Sequence, residues 1–556
     1  MMLSRPGTGH DLIVMALGAI QEMENLLAEA TAKVRARVAV DGQILPRLFE
    51  REQRATHALA WIATYVEAMR QLAGYAEHIQ DAGEFGEIED LAIRICLGEY
   101  LAQIFGGIPI SQGEMTRPAD VGITAPELAA HMTADVENLI AAGNTAQRRA
   151  RLAELLRRRE GAGIGAGSID ETLESIREEV RKFTVGAVMQ QAQRWHLSDA
   201  YIPDDILAQM ADLGVFGLTI PDELGGMGLG KLAMAIVGEE LARGYVGVGS
   251  LAANAVLAAE LILRHGTEEQ RQRWLPRIAA GRTVAAAALS EPGSGSDLAS
   301  IRTTAQRQGG VYKIRGSKTW VTHAARADLL LLLARTNGKE NGHRALSLLL
   351  VEKQRDSGRP FQSAARVNSR ELQALGCRGL KEFEVAFDDF EVPVGSLLGE
   401  VEGAGFKQLM EAFETTRIQT AARAAGVAQS ALDLALGHAG EPTQSGAHIA
   451  DFPRIGDKLA MMTAEIAAAR QLTGFVARKK DSGARCELEA AMAKMLAARV
   501  AWAAADCTMQ IYGANGLATE LPISRVLADA RALNIVDGPS EMLAQIIARR
   551  LLDGAS

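Results

Sequence analysis

Apolar residues recur at helical spacing through the first hundred residues, as from Ala58 to Tyr75, and predict amphipathic helices over roughly 11–100. Arg148 to Glu160 is a charged helix end, and Gly161-Ala-Gly-Ile-Gly-Ala-Gly167 reads as a flexible linker. A phosphate loop is not expected there, because no strand precedes the glycines and their spacing is not GxGxxG. The helical pattern resumes at Ser168 and runs to about Gly281, broken near Pro203 and around Ile220 to Gly226. The period then changes. Val311 to Arg315 and Phe383 to Phe387 alternate, while Leu329 to Ala334 and Ala345 to Val351 are short apolar runs. Such segments, separated by Gly, Asp and Asn, predict an antiparallel β-domain of roughly a hundred residues. After Pro393 long helices return. The fold class expected is mainly α with a central β-domain: helical over 1–160, linker over 161–167, helical over 168–284, β over 285–395 and helical over 396–556.

The chain also echoes itself. Arg70-Gln-Leu-Ala-Gly-Tyr75 resembles Arg470-Gln-Leu-Thr-Gly-Phe475, and Gln103-Ile-Phe-Gly-Gly107 resembles Gln510-Ile-Tyr-Gly-Ala514. Two matches in one order, at offsets of 400 and 407, predict that residues 1–160 are a degenerate copy of the C-terminal helices.

Bulk properties narrow the partners. The chain has 556 residues and a net charge of −9 with no long basic run, so nucleic acid is not an expected partner. Its four cysteines are scattered, which suggests reduced thiols in a cytoplasmic protein and no metal site. Asp11, Glu22 and Glu24 interrupt the apolar N-terminus, so neither a secretory signal nor a membrane association is expected, nor any run long enough to span a bilayer.

The candidate chemistry lies in Leu289-Ser290-Glu291-Pro292-Gly293-Ser294-Gly295-Ser296-Asp297, followed by Trp320-Val321-Thr322. The first is a turn with little side chain to obstruct its amides. The second is an aromatic plate with a hydroxyl two residues on. Together they suit a flat ring with polar edges, which points to a flavin.

From about Ser168 onward the chain resembles an acyl-CoA dehydrogenase. The resemblance rests on Phe216-Gly-Leu-Thr-Ile-Pro-Asp-Glu-Leu-Gly-Gly226, Gly266-Thr-Glu-Glu-Gln270 with Leu275-Pro276, the Ser-Glu-Pro-Gly turn and Trp320-Val-Thr322. Gly399-Glu to Gly405-Phe-Lys407, Arg417, Gln510-Ile-Tyr-Gly513 and Asp537-Gly-Pro-Ser540 continue it to the end. It implies an α-helical domain, a β-barrel and a four-helix bundle around FAD, with the N-terminal helices as an extra domain. Leu289, Ser290, Gly295 and Ser296 are then expected to contact flavin and the substrate's pantetheine arm. Trp320 would lie against the ring, and Thr322 near N5. Gln510, Gly513 and Ser540 are also implied as cofactor contacts, and Glu414, Arg417 and Gly538 as substrate contacts.

The implied reaction is α,β-dehydrogenation of a thioester, which needs a base for the α-proton. Most members carry Glu before the glycine of the C-terminal bundle; this chain has Asp537. The alternative base position, directly before Arg417, is Thr416, which leaves Asp537 favoured over Glu414 and Glu541. The shorter side chain suggests room for an α-methyl branch. Glu382 stands where Ser or Thr is common near the flavin edge and would fill or polarise the path by which oxygen reaches the ring, or else be a solvated strand end. The positions that commonly reach a neighbouring subunit's FAD are Pro442, Ser445 and Pro453 here.

By the same resemblance, Tyr245 to Ser250 stands where acyl length is typically set in the family, and Gly249 where glutaryl-CoA dehydrogenases place an arginine, so a glutaryl substrate is not expected. In having a helical extension at the N-terminus the chain resembles those members of the family whose acyl group is short, α-methyl-branched and ends in a carboxylate, and the resemblance implies such a substrate; Arg243 and Arg378 are candidate partners for the carboxylate, or else surface residues. The alternatives are an acyl-CoA dehydrogenase of other specificity or a flavin oxidase of the same fold. By resemblance, the electron acceptor is an electron-transfer flavoprotein and the assembly a homodimer.

Overall fold

A computed structural model describes residues 9–158, 164–165, 169–336, 342–353, 355, 366–442, 446 and 448–554. The predicted linker lies largely outside the described residues. The chain forms two compact units, one of residues 1–174 and 424–556, the other of 175–423.

The N-terminal part of the first unit is helical, as its periodicity predicts. It contains α1 (Gly9–Val38), α2 (Pro46–Arg51), α3 (Gln53–Asp81), α4 (Glu87–Gly106), α5 (Ala125–Ala130), α6 (Ala134–Ala142) and α7 (Ala146–Arg158). Two short hairpins, β1 (Ala39–Val40) with β2 (Gln43–Ile44) and β3 (Ile108–Ser111) with β4 (Glu114–Thr116), interrupt it. They are too short to leave an alternating signal.

The second unit begins with α8 (Glu171–Phe183), α9 (Gln190–Ser198), α10 (Asp204–Asp212), α11 (Gly230–Gly244), α12 (Val246–His265) and α13 (Glu268–Ala279). Helix α12 corrects the expectation that no run could span a bilayer: its length and hydropathy suffice, with 83% of the relevant window buried inside the protein. Lys231 of α11 and Arg264 both reach the buried Glu260 of α12, at 2.6 and 2.5 Å.

Seven strands follow: β5 (Ala285–Ala288), β6 (Thr304–Gln308), β7 (Val311–Thr322), β8 (Leu329–Arg335), β9 (Leu346–Glu352), β10 (Val367–Leu372) and β11 (Glu382–Pro393). The periodicity missed β5, β6 and β10. The first is four alanines, and the others are mostly polar. Strand order is β10-β11-β7-β6-β8-β5, with β9 also on β8, so the sheet curls on itself. The Leu-rich run of β8 is buried on both faces. Leu330 and Leu332 enter the sheet's own core with Tyr312, Ile314, Val321 and Phe383, while Leu329, Leu331 and Leu333 join the helices. A strand sandwiched in this way loses its polar alternation.

The remaining helices are α14 (Gly405–Gly440), α15 (Pro453–Asp481), α16 (Glu487–Tyr512), α17 (Pro522–Leu533) and α18 (Ser540–Asp553). The sequence echo has a counterpart in the elements. Helices α3 and α15 are each 29 residues long and begin and end 400 positions apart, and α4 and α16 begin at Glu87 and Glu487. Within the first unit α3 packs on α15 and α18, and α15 on α4 and α7. A buried polar chain joins the two sets: Arg499 pairs with Glu465 and reaches Tyr100, whose ring stacks on Tyr65 at 4.1 Å.

Candidate active site

The turn Leu289 to Asp297 follows β5 and is fastened from below by a buried ion pair. Lys318 of β7 is wholly buried; its Nζ donates to Leu289 O at 2.9 Å and to Glu291 at 3.1 Å. Desolvation lowers this ammonium to about 8 despite the carboxylate beside it. Glu291 also accepts the backbone N–H groups of Arg302 and Thr303, at 2.7 and 2.8 Å; against desolvation, its carboxyl is held below the ordinary value by the Thr303 side chain, then by these backbone bonds and Lys318. Ser290 O accepts from Thr319 N at 3.0 Å. The other side of the turn is open: a Cβ on Gly293 or Gly295 would meet nothing within 4 Å, and Ser296 is exposed.

Trp320 is aimed by a bulge. Val321 pairs with Phe383 and Lys318 with Val385, so Thr319 and Trp320 together oppose Glu384 alone. A bulge of this kind turns a side chain off the regular pleat. Trp320 takes φ 55°, a strained value for an aromatic residue, and remains 58% exposed. Two residues on, Thr322 pairs across the sheet with Glu382 and donates its hydroxyl to that carboxylate at 2.8 Å. Glu382 is therefore no solvated strand end. Burial raises it to about 7, against the opposing pull of the Thr322 bond. His323, next in line, is buried, hydrogen-bonds Leu380 O through Nδ1 at 3.1 Å, and is pushed down to about 4 by desolvation.

An open glycine turn and an exposed, strained aromatic plate form a bed for a planar ring. The residues present fit a flavin. Glu414 and Arg417, one turn apart on α14, are both buried rather than on the surface.

The first unit carries the other expected residues. Asp537, at φ 54°, and Gly538, at φ 99°, form the turn between α17 and α18, and Asp537 is exposed. Ser540 opens α18. The buried Lys494 of α16 donates to Gly538 O at 2.7 Å and holds this turn from behind. Gln510 lies in the last turn of α16, whose C-cap Gly513, at φ 58° and ψ −133°, has a backbone conformation that suits glycine alone. Pro442 bridges to His448, Pro453 opens α15, and Ser445 lies outside the described residues. Of the arginines proposed for a distal carboxylate, Arg243 lies 3.9 Å from Glu240 and Arg378 donates to Ala374 O and His196 O.

Sequence reasoning passed over Lys318, His323 and Lys494. Lys318 left a signal, a charged residue at an inward position of an alternating strand.

Three family descriptions match in order: acyl-CoA dehydrogenase N-terminal domain over residues 170–282, middle domain over 286–390 and C-terminal domain over 403–552. The chain belongs to the acyl-CoA dehydrogenase family. This is a family of FAD-dependent oxidoreductases. The chain is 50% identical over 554 residues to (2S)-methylsuccinyl-CoA dehydrogenase of Cereibacter sphaeroides, covering 99% of this chain and 100% of the relative. A solved glutaryl-coenzyme A dehydrogenase with glutaryl-CoA superposes with a TM-score of 0.65 at 32% identity, covering 69% of this chain and 96% of that one. A structure described as an electron transferring flavoprotein of Acidaminococcus fermentans also matches, with a TM-score of 0.65 at 31% identity over 69% and 98% of the two chains.

Proposed function

We propose that this acyl-CoA dehydrogenase oxidises (2S)-methylsuccinyl-CoA to mesaconyl-CoA. The observation that carries this reading is the 50% identity to the methylsuccinyl-CoA enzyme, which runs through the N-terminal extension as well as the family domains. FAD, when bound, supplies the acceptor for the β-hydride. The turn from Leu289 to Ser296, Trp320, Thr322 and Glu382 belongs to its ring, and Gln510, Gly513 and Ser540 to the rest of the cofactor. Asp537 takes the α-proton, with the Gly538 amide beside it for the thioester carbonyl. Glu414, Arg417 and Ser296 hold the substrate.

Residues 1–160 are read as a degenerate copy of the C-terminal bundle, with 161–167 as linker, 168–284 and 285–395 as helical and barrel domains, and 396–556 as the bundle. The matched lengths of α3 and α15 support this division. The same reading gives a cytoplasmic homodimer that passes electrons to an electron-transfer flavoprotein.

Adding (2S)-methylsuccinyl-CoA to the purified yellow protein should bleach the flavin absorbance. Asp537→Asn should abolish bleaching while leaving FAD bound, and bleaching retained in that variant would remove Asp537 as the base. Rapid oxygen consumption without another acceptor would favour an oxidase instead.

A further inference from the structure

Beyond its bulge, β7 returns to regular alternation. Val321 enters the core of the sheet, so Trp320 and Thr322, on either side of it, face the other way. Glu382 lies directly across the ladder from Thr322, and its neighbour Phe383 enters the same core as Val321. Trp320, Thr322 and Glu382 therefore share one face of the sheet. The Thr322 hydroxyl stands 2.8 and 3.0 Å from the two carboxyl oxygens of Glu382. On the other side of Glu382, β10 offers only the apolar Leu372. The charged groups at the adjoining positions are engaged elsewhere. Glu384 meets Arg370 at 2.7 Å, and Lys381 meets Glu371 at 2.8 Å and Asp199 at 4.0 Å. His323, beside Thr322, is kept neutral at pH 7 by desolvation. Among the described residues no cation pairs with Glu382; its carboxyl answers to burial and to the Thr322 hydroxyl.

The pair has two arrangements, set by one proton. A carboxylate only accepts hydrogen bonds, a carboxylic acid also donates one, and a hydroxyl has a single proton to give. With Glu382 ionised, the Thr322 proton is committed to the carboxylate, and the hydroxyl presents lone pairs alone to any third group. With Glu382 neutral, the acid donates to Thr322 Oγ1 and the Thr322 proton turns outward. In the proposed arrangement the third group is the ring laid on Trp320, on the same face. The edge of an oxidised flavin is lined with acceptors, its carbonyl oxygens and bare ring nitrogens. A donor held at such an edge favours the arrival of negative charge there, and lone pairs oppose it. Burial raises the Glu382 carboxyl to about 7, so both arrangements are populated near neutrality.

We infer that Glu382 is a positioning residue whose proton sets the direction of the Thr322 hydroxyl, so that Thr322 donates to the flavin edge when Glu382 is a neutral acid and ceases to donate when it is a carboxylate. This inference rests on the proposed reading of that face as the bed of the flavin. The test is the visible absorbance of the purified holoenzyme, without substrate, titrated from about pH 5.5 to 9, a range below that in which the flavin's own N–H ionises. Wild type should show a one-proton shift of the flavin band near neutrality. The shift should be absent from Glu382→Gln, several-fold smaller in Thr322→Val and retained in Thr322→Ser. The rate of flavin reduction by substrate gives a second readout. Divided at each pH by the rate of Glu382→Gln, so that the titration of the base cancels, the wild-type rate should fall about tenfold across the same interval. A wild-type spectrum with no such shift, a shift that persists in Glu382→Gln, or one of full amplitude in Thr322→Val would overturn the inference. Should Thr322→Val not retain flavin, Thr322→Ala takes its place. A yellow wild type that (2S)-methylsuccinyl-CoA does not bleach would sink the proposed substrate and leave the spectral test standing; a protein that is bleached but shows no shift with pH would sink this inference alone.

Discussion

Two titratable side chains, Lys318 and Glu382, set the electrostatics around the Ser-Glu-Pro-Gly turn and Trp320. Lys318 has no exposed surface and fastens the Ser-Glu-Pro-Gly turn through Leu289 and Glu291. Replacing it with Met leaves the Glu291 carboxylate buried without its cation, at a cost of about 3–5 kcal/mol. Denaturant unfolding of Lys318→Met should show that loss, and the variant should purify with less FAD. Glu382 works in the opposite sense. Its carboxyl titrates near 4.5 when unfolded and about 7 when folded, so the unfolded chain ionises first as pH rises. Its contribution to stability therefore falls between about pH 4.5 and 7, by roughly 3 kcal/mol, and is level on either side. Glu382→Gln removes the titration. The variant should gain stability relative to wild type between pH 5 and 8, measured as the difference in unfolding free energy at the two values. A constant difference would mean that burial does not raise this carboxyl.

Elements were legible where their period was long and their faces unequal. The helices of the first hundred residues, the strands around Ile314, Leu331, Leu349 and Val385, and the return to helix after Pro393 all left a periodic trace. Strand β5 is four alanines and carries no period, while β10 is polar along most of its length; partners on either side make them strands. The Ser-Glu-Pro-Gly turn was readable because glycine, serine and proline restrict it locally. The aim of Trp320 was not, because it follows from a register shift between β7 and β11 that neither strand encodes alone. Helix contacts can be just as exacting. A Cβ on Gly98 of α4 would lie 2.6 Å from Leu139 O and 3.0 Å from Gly143 Cα. Gly98→Val must drive α4 and α6 apart, and overpacking of this kind costs about 1–3 kcal/mol or more. Thermal unfolding should fall by several degrees, whereas Gly74→Ala, with nothing within 4 Å of the added Cβ, should leave it unchanged or raise it slightly.

On the scale of the whole molecule, the N-terminal extension is part of the same compact unit as the C-terminal helices. Arg35 donates to Leu552 O, Arg149 meets Asp457 at 2.7 Å, and the Arg499–Glu465 pair reaches Tyr100. Removing residues 1–158 would expose the apolar sides of α15 and α18 and leave Arg499 without its aromatic neighbours. The truncated chain should be insoluble or should unfold at a much lower temperature, as judged by size-exclusion chromatography and calorimetry. A soluble, yellow, active fragment would show that the extension is dispensable.

The matched helices α3 and α15 have a consequence for behaviour in dilute solution. Were the two bundles separate molecules, their contact would weaken as the protein was diluted. Joined in one chain, each holds the other at a fixed effective concentration, so the pairing is first order and indifferent to how much protein is present. The tether also removes any need for the two sides to stay alike. The C-terminal helices can keep the residues that surround Asp537 while the N-terminal helices change, provided the packing between α3 and α15 is preserved.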